Sequence, residues 1–261
     1  MTFKFDGGVR RIYFLQPTMT VLITGGTGQT GLILCRLLNE ANISLLSCSR
    51  SGTAPRPYKA VKFDWFNEKT FKNPFRADPK IDRVYLIVPS VMGQLSTVKS
   101  FIDVAISKGV KRFVLLTGSR IEIGSPVLMG KVHEYLFNIK VDYTVLRPTW
   151  FIRTNFSCEL QRQMLTTFTE NFGTTFYQSI REQNEFYSVA EDGRFPFVST
   201  EDIAQAAFDA LVSKQSPNKD YYVVGPELFS NDQVSKSSSK SSTNVCVLIV
   251  MYRWLNFCPR Y

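Results

Sequence analysis

Gly25, Gly28 and Gly31 recur every third residue in Gly25-Gly-Thr-Gly-Gln-Thr-Gly31, directly after the apolar run Val21-Leu-Ile-Thr24. Leu32, Leu34, Leu37 and Leu38 follow at helical spacing. A glycine turn between a strand and a helix suits phosphate binding. The first N–H groups of the helix have no partner within it, and its N-terminal end carries partial positive charge. Gly25 is expected to permit the tight turn, Gly28 to let backbone approach a pyrophosphate, and Gly31 to let the helix pack close to the sheet. Thr27, Gln29 and Thr30 complete this turn as expected cofactor contacts.

The end of the second strand decides which dinucleotide fits. A carboxylate there would hold the ribose 2′-hydroxyl of NAD. This chain instead has Ser49-Arg50-Ser51-Gly52-Thr53. The Arg50 guanidinium with the Ser51 hydroxyl suits a 2′-phosphate, so the expected cofactor is NADPH. Asp64, after the third strand, is expected to accept a hydrogen bond from the adenine amino group or to cap a helix from Asn67 onward.

The elements that must position these residues alternate. Strands are expected at Val21–Thr24, Ile43–Cys48, Ala60–Phe63, Arg83–Pro89, Lys111–Thr117, Asp142–Arg147 and Tyr221–Val224. Leu95, Val98, Phe101, Ile102 and Ala105 mark a helix that stops at Gly109. Another starts at Ser199-Thr-Glu-Asp202 and buries Ile203, Ala206, Ala207, Ala210 and Leu211. Strands alternating with helices mean βαβ units. The expected fold is α/β: a Rossmann-like, doubly wound parallel sheet with helices on both faces and a small C-terminal substrate-side region. Residues 19–234 form the expected dinucleotide-binding domain, 1–18 an N-terminal extension, and 235–261 an atypical, disordered tail.

In such sheets ligands lie over the carboxyl ends of the strands. Those ends make Pro89 and Thr117 further expected cofactor contacts. Trp150 and Phe151, after Arg147-Pro-Thr149, are expected to wall a flat apolar substrate, and Lys131 in Met129-Gly-Lys-Val-His-Glu-Tyr135 is a further substrate candidate. No Tyr-x-x-x-Lys pair stands in the corresponding helix, so no catalytic residue is assigned.

Composition narrows the remaining classes. Over 261 residues, 44% hydrophobic and 20% charged, the chain can bury a core. The net charge of +9 (31 Lys and Arg, 22 Asp and Glu) is spread along the chain, so no nucleic-acid partner is expected. A single histidine, His133, excludes a multi-histidine metal site, and no metal is expected. Five cysteines without a Cys-x-x-Cys pair read as reduced thiols, and no apolar run approaches the roughly twenty residues a membrane span needs. The expected location is the cytoplasm, with no membrane partner.

Several segments together resemble a known family. They are Lys62-Phe-Asp-Trp-Phe-Asn-Glu68 with Asn73-Pro74-Phe75, Val110-Lys-Arg-Phe-Val-Leu-Leu116, Met129-Gly-Lys-Val-His133 with Tyr135-Leu136, and Leu146-Arg-Pro-Thr-Trp-Phe151. Pro196-Phe-Val-Ser199 with Asp202-Ile-Ala204, and Gly225-Pro-Glu-Leu228, complete the set. Over Thr20 to Val234 the chain resembles the festuclavine/agroclavine dehydrogenases of ergot alkaloid biosynthesis, NmrA-like members of the atypical short-chain dehydrogenases. The resemblance implies NADPH-dependent reduction of a cyclic iminium, derived from chanoclavine-I aldehyde, to a clavine alkaloid. Functional coupling to an upstream enzyme supplying the iminium is a further implication. Hydride addition to an iminium yields a neutral amine with no alkoxide to protonate, which accounts for the missing Tyr-x-x-x-Lys pair. Alternatives of other kinds are an NmrA-like dinucleotide sensor without turnover and a truncated, inactive relative. Two segments depart from the family pattern, Cys158–Tyr177 and everything after Val234, and both read as retained intron sequence.

Overall fold

The computed structural model describes residues 3–5, 8–10, 19–89, 93–149, 151–152, 185–188, 193–196, 198–230 and 248–251. Seven strands form one sheet: β1 Thr20–Ile23, β2 Ser44–Ser49, β3 Ala60–Lys62, β4 Ile81–Leu86, β5 Arg112–Leu116, β6 Asp142–Pro148 and β7 Lys219–Val223. Their order is β7-β6-β5-β4-β1-β2-β3, and every pairing is parallel. Strand order reverses between β1 and β4, so the crevice for a dinucleotide opens there. The expected doubly wound parallel sheet is present, and each expected strand is found with ends moved by a residue or two.

Helices cover both faces. On one side α1 (Gln29–Glu40) and α5 (Thr200–Val212) bury Leu34, Leu38, Ala204, Ala207 and Leu211 against Val21, Ile23, Tyr85 and Val114. On the other, α3 (Leu95–Ser107) and α4 (Leu128–Asn138), with the short α2 (Asn73–Ala77), cover Leu22, Val84, Leu86, Phe113, Leu115 and Val145. Alternate strand residues thus enter opposite cores, which is why these strands read as unbroken Val, Ile and Leu. Gly109, just past α3, has φ +99°, a conformation that makes glycine the natural stop there.

The second core holds an aromatic cluster. Phe63 packs against Trp65, Phe71 and Phe101 with ring centroids 5.0–5.4 Å apart, edge-on for Trp65 and Phe101 and stacked for Phe71. Trp65, buried, donates its indole Nε1–H to the Ile87 carbonyl at 3.1 Å. At the opposite ends of the strands two arginines secure α5. Buried Arg112 donates to the carbonyls of Ala210 (3.1 Å) and Ser213 (2.6 Å), and Arg83 also donates to Ser213.

The chain divides into two compact units. One comprises residues 1–148 and 201–223 and contains the seven-stranded sheet; the other comprises 149–200 and 224–261. Within the second, Phe151–Ile152 pairs in parallel with Val198–Ser199, and Arg194–Phe195 pairs antiparallel with Phe229–Ser230. The tail was expected to be disordered, yet Leu248–Met251 is a strand pairing in parallel with Glu185–Ser188. An apolar, largely β-branched run pairs readily with available strand backbone, which corrects that expectation for these four residues. Phe3–Phe5 and Gly8–Arg10, in the N-terminal extension, form an antiparallel pair. Cys158–Tyr177 lies outside the described residues.

Candidate functional site

The glycine turn sits at the carboxyl end of β1, and Gly28 is the N-cap of α1. Its N–H donates to the Gly25 carbonyl at 3.0 Å, and its own carbonyl accepts from Leu32 at 2.9 Å. No acidic side chain occupies the first turn of α1 and none caps it, so nothing there competes with an anion for the leading N–H groups. A Cβ at Gly31 would stand 2.1 Å from the Gly25 carbonyl oxygen. The close approach that requires glycine is therefore to the backbone of the turn itself, not to the sheet. Gly25 is absent from the glycines with positive φ; what it must avoid is the Ile87 side chain, 2.9 Å from where its Cβ would be. Gly26, unassigned from sequence, is as constrained as Gly31, since its Cβ would meet Ser47 Oγ at 2.1 Å. The partner lies on the next strand, so spacing within the motif gave no sign of it.

Thr24 joins the two strands that flank the reversal. Its hydroxyl accepts from Ile87 N–H at 2.8 Å and lies 3.2 Å from the Tyr85 carbonyl and 3.1 Å from that of Ile87. With the Trp65 indole on the same Ile87 carbonyl, the floor beneath Gly25 is fixed from two sides.

Beside the turn lies a cleft of about 440 Å³ lined by Thr27, Ser49, Arg50, Ser51, Thr53, Ala54 and Pro55. Arg50 and Ser51 are exposed at its rim. Ser49 Oγ accepts from Thr53 N–H (2.9 Å) and donates to the Thr53 carbonyl (2.7 Å), and Ser51 and Thr53 share a 2.7 Å hydroxyl contact. A loop tied to itself in this way holds the Arg50 backbone in one place. The chemistry of the lining, one guanidinium and four hydroxyls beside a helix N-terminus, fits a phosphorylated ribose.

The other expected contacts divide. Gln29 is the first residue of α1 and half-buried. Thr30 turns inward: it is buried, and the Tyr85 hydroxyl lies 3.3 Å from its Oγ1, so only its backbone N–H is available to a phosphate. Asp64 accepts from Phe66 N–H at 3.0 Å, and the cap of the following 3-10 turn is Asn67, which accepts from Lys69 N–H. The alternative role of Asp64 as that cap is thus corrected, and Asp64 is not among the cleft's lining residues. Pro89 is half-buried beyond the end of β4. Thr117 spends its hydroxyl hydrogen on the Leu146 carbonyl at 3.1 Å. Lys131 is exposed on α4. Trp150 lies outside the described residues, and Phe151 is described only as a strand residue.

Two groups that resemble acid–base candidates are otherwise engaged. His133 is buried with its ring 5.6 Å from that of Tyr143, and burial pushes its pKa below the ordinary histidine value. The Tyr135 hydroxyl donates to Asp103 on α3; burial and that hydrogen bond push its pKa up to about 12. Among the described residues no group of His, Cys, Asp and Glu could hold a metal ion, and no helix is long and apolar enough to cross a membrane.

The strand order, the glycine turn and the adjoining cleft define a nicotinamide-dinucleotide-binding protein of the Rossmann type. Residues 21–118 match the NAD dependent epimerase/dehydratase family. The Citrobacter sp. triphenylmethane reductase complexed with NADP(H) has the same fold: TM-score 0.62 and 18% identity, covering 89% of this chain and 79% of that one. Agroclavine dehydrogenase of Claviceps purpurea (strain 20.1) is 40% identical over 223 residues, 84% of this chain and 72% of that protein. Festuclavine dehydrogenase of Aspergillus fumigatus is 39% identical over 226 residues, 83% and 71% respectively. The chain belongs to the family of the agroclavine and festuclavine dehydrogenases, which are oxidoreductases.

Proposed function

We propose that this protein is an NADPH-dependent reductase of a cyclic iminium, forming a clavine alkaloid of the festuclavine or agroclavine type. The observation that carries this reading is the convergence of Thr27, Arg50 and Ser51 on one cleft at the glycine turn, in a chain of this family. The N–H groups of Gln29, Thr30 and Gly31 bind the pyrophosphate, and Arg50 with Ser51 and Thr53 binds the 2′-phosphate. Asp64 meets the adenine amino group at the far end. Pro89 and Thr117, at the carboxyl ends of β4 and β5, border the nicotinamide half. When bound, the reduced cofactor supplies the hydride.

The protein itself has little proton chemistry to perform. The iminium carbon accepts the hydride pair while the C=N π electrons become the nitrogen lone pair, so no oxyanion forms. A helix tyrosine bound to Asp103 and a buried neutral histidine are compatible with that task and unsuited to ketone reduction. Positioning and exclusion of water are what remains for the chain to supply. Trp150 and Phe151 wall the alkaloid, their ring faces favouring its positive charge, and Lys131 borders the same side. The protein works in the cytoplasm and draws its iminium from an upstream enzyme that delivers the aldehyde.

Incubating the protein with chanoclavine-I aldehyde and NADPH, with products read by mass spectrometry, tests the proposal. Cofactor oxidation with a clavine product is expected. NADPH binding without any product, in a folded sample, would favour a dinucleotide sensor instead.

A further inference from the structure

The Arg147 side chain, on β6, is 3% exposed, and a buried guanidinium needs partners on every side. It finds them on three separate segments. Its Nη2 donates to the Ser119 carbonyl at 2.9 Å and to Glu122 Oε1, and its Nη1 donates to Glu122 Oε2 at 3.0 Å. Nη1 also reaches Asp220 Oδ2 on β7 at 2.6 Å. The Tyr222 ring lies 4.4 Å from the guanidinium carbon, and the Tyr222 hydroxyl is 3.5 Å from Glu122 Oε1. The segment after β5 is further stitched to β6 by Thr117 N–H on Leu146 and Ser119 N–H on Pro148. Its far end is pressed against α4, because a Cβ at Gly130 would stand 2.6 Å from the Glu122 carbonyl oxygen.

The asymmetry within this cluster is informative. The Glu122 side chain is 64% exposed while the Arg147 side chain is almost wholly covered, so the carboxylate closes over the cation from the solvent side. A bidentate fork fixes direction as well as distance, so the pair sets where the backbone of 119–122 lies. That backbone continues directly from Thr117, at the carboxyl end of β5, on the side of the sheet away from the Arg50 cleft.

We propose that Arg147, Glu122 and Asp220 form a positioning clamp that sets the placement of residues 117–122 over the nicotinamide and substrate end of the site. None of the three touches the reacting atoms; each acts through the segment it holds. The inference rests on the reductase reading above for what meets at that end, and on the fold alone for which end it is.

The test uses Glu122→Ala, Glu122→Gln and Asp220→Asn in the full chain, with unfolding temperature recorded for each. Glu122 is exposed, so its variants fold even if Asp220→Asn does not. Binding is measured for NADPH and for 2′,5′-ADP, which carries only the adenosine half, and turnover is measured with the iminium. For Glu122→Ala, 2′,5′-ADP affinity is expected unchanged, NADPH affinity several-fold weaker, and kcat lower by roughly ten- to a hundredfold, as for a displacement of about 1 Å near the reacting centre. Glu122→Gln, which keeps the shape and loses the charge, falls between. If both ligands weaken together with a fall in unfolding temperature, the cluster is merely structural and the clamp is wrong. It is equally wrong if no ligand affinity and no rate changes. Wild-type protein that binds NADPH without turnover would overturn the substrate reading alone, since the ratio of the two affinities still judges the clamp. Wild-type protein that binds neither ligand would overturn both.

Discussion

Gly31→Ala should disable cofactor binding, and the size of the effect follows from the turn. The added Cβ would stand 2.1 Å from the Gly25 carbonyl oxygen and 2.9 Å from its carbon, both backbone atoms that no rotamer change can move. Ordinary contact requires the turn or the start of α1 to shift by roughly 1 Å, and overpacking on that scale costs about 1–3 kcal/mol. For a domain of this size that is a fall in Tm of about 2–12 °C. The displaced carbonyl is also the one that accepts from Gly28 N–H, so the same shift loosens the turn's own hydrogen bond. Because the phosphate-binding N–H groups move with it, NADPH affinity should fall by about a hundredfold. Gly93→Ala is the control, since nothing lies within 4 Å of the Cβ it would add. Fluorescence titration with NADPH and thermal unfolding read both consequences. A Gly31→Ala protein that binds NADPH within twofold of wild type, at an unchanged Tm, would falsify the argument from close approach.

Arg50→Ala should erase most of the preference for NADPH over NADH, checked by comparing the two dissociation constants in both proteins; an unchanged ratio removes Arg50 as the 2′-phosphate ligand. Trp150→Ala should weaken alkaloid binding and turnover while leaving NADPH affinity within a few-fold, and a joint collapse of folding and cofactor binding would make Trp150 core. Arg112→Met leaves the carbonyls of Ala210 and Ser213 without their donor, so urea unfolding should show a loss of about 2–4 kcal/mol. His133 has its folded pKa depressed by burial, so the unfolded chain binds the proton more readily. Its contribution to stability is therefore present above the unfolded value of 6.5 and is lost as pH falls through the folded one. Tm measured between pH 7.5 and pH 5 should fall more steeply for wild type than for His133→Gln; equal slopes would count against this.

The sheet was legible in the sequence because a strand covered on both faces must be apolar at every position, and seven such runs stood out. Strand ends were less legible, since ladder pairing decides them and the partners are remote. The glycine turn was recognisable from Gly25, Gly28 and Gly31, yet the reasons for two of the three changed. Gly31 makes room for the Gly25 carbonyl and Gly25 for Ile87, contacts that only the folded turn defines. Phe63-Asp-Trp65 carried much of the family resemblance, and the structure gives the tryptophan a physical role as the donor that fixes Ile87. The Arg147 cluster was invisible as a cluster, because its carboxylates lie 25 and 73 residues away in sequence. No local pattern links an arginine at the end of one strand to an acid on a loop and another on the sheet edge. Thr30 shows the converse, a hydroxyl in the right motif that faces inward toward Tyr85.

The pairing of Phe151–Ile152 with Val198–Ser199 has a consequence for how this chain tolerates change. Thr149 adds to it by donating its hydroxyl to the Pro196 carbonyl, so the polypeptide leaves and re-enters through a hydrogen-bonded neck. Closing the neck costs chain entropy that grows only with the logarithm of the length enclosed. The roughly 45 residues between its two sides, against about 25 without Cys158–Tyr177, differ in closure cost by only about 0.5 kcal/mol. Deletions, duplications or foreign sequence in that interval are therefore nearly neutral for the sheet and its glycine turn. The neck makes this interval a natural graft site, where an engineered substrate-binding segment could be exchanged while the nucleotide-binding unit keeps its own stability.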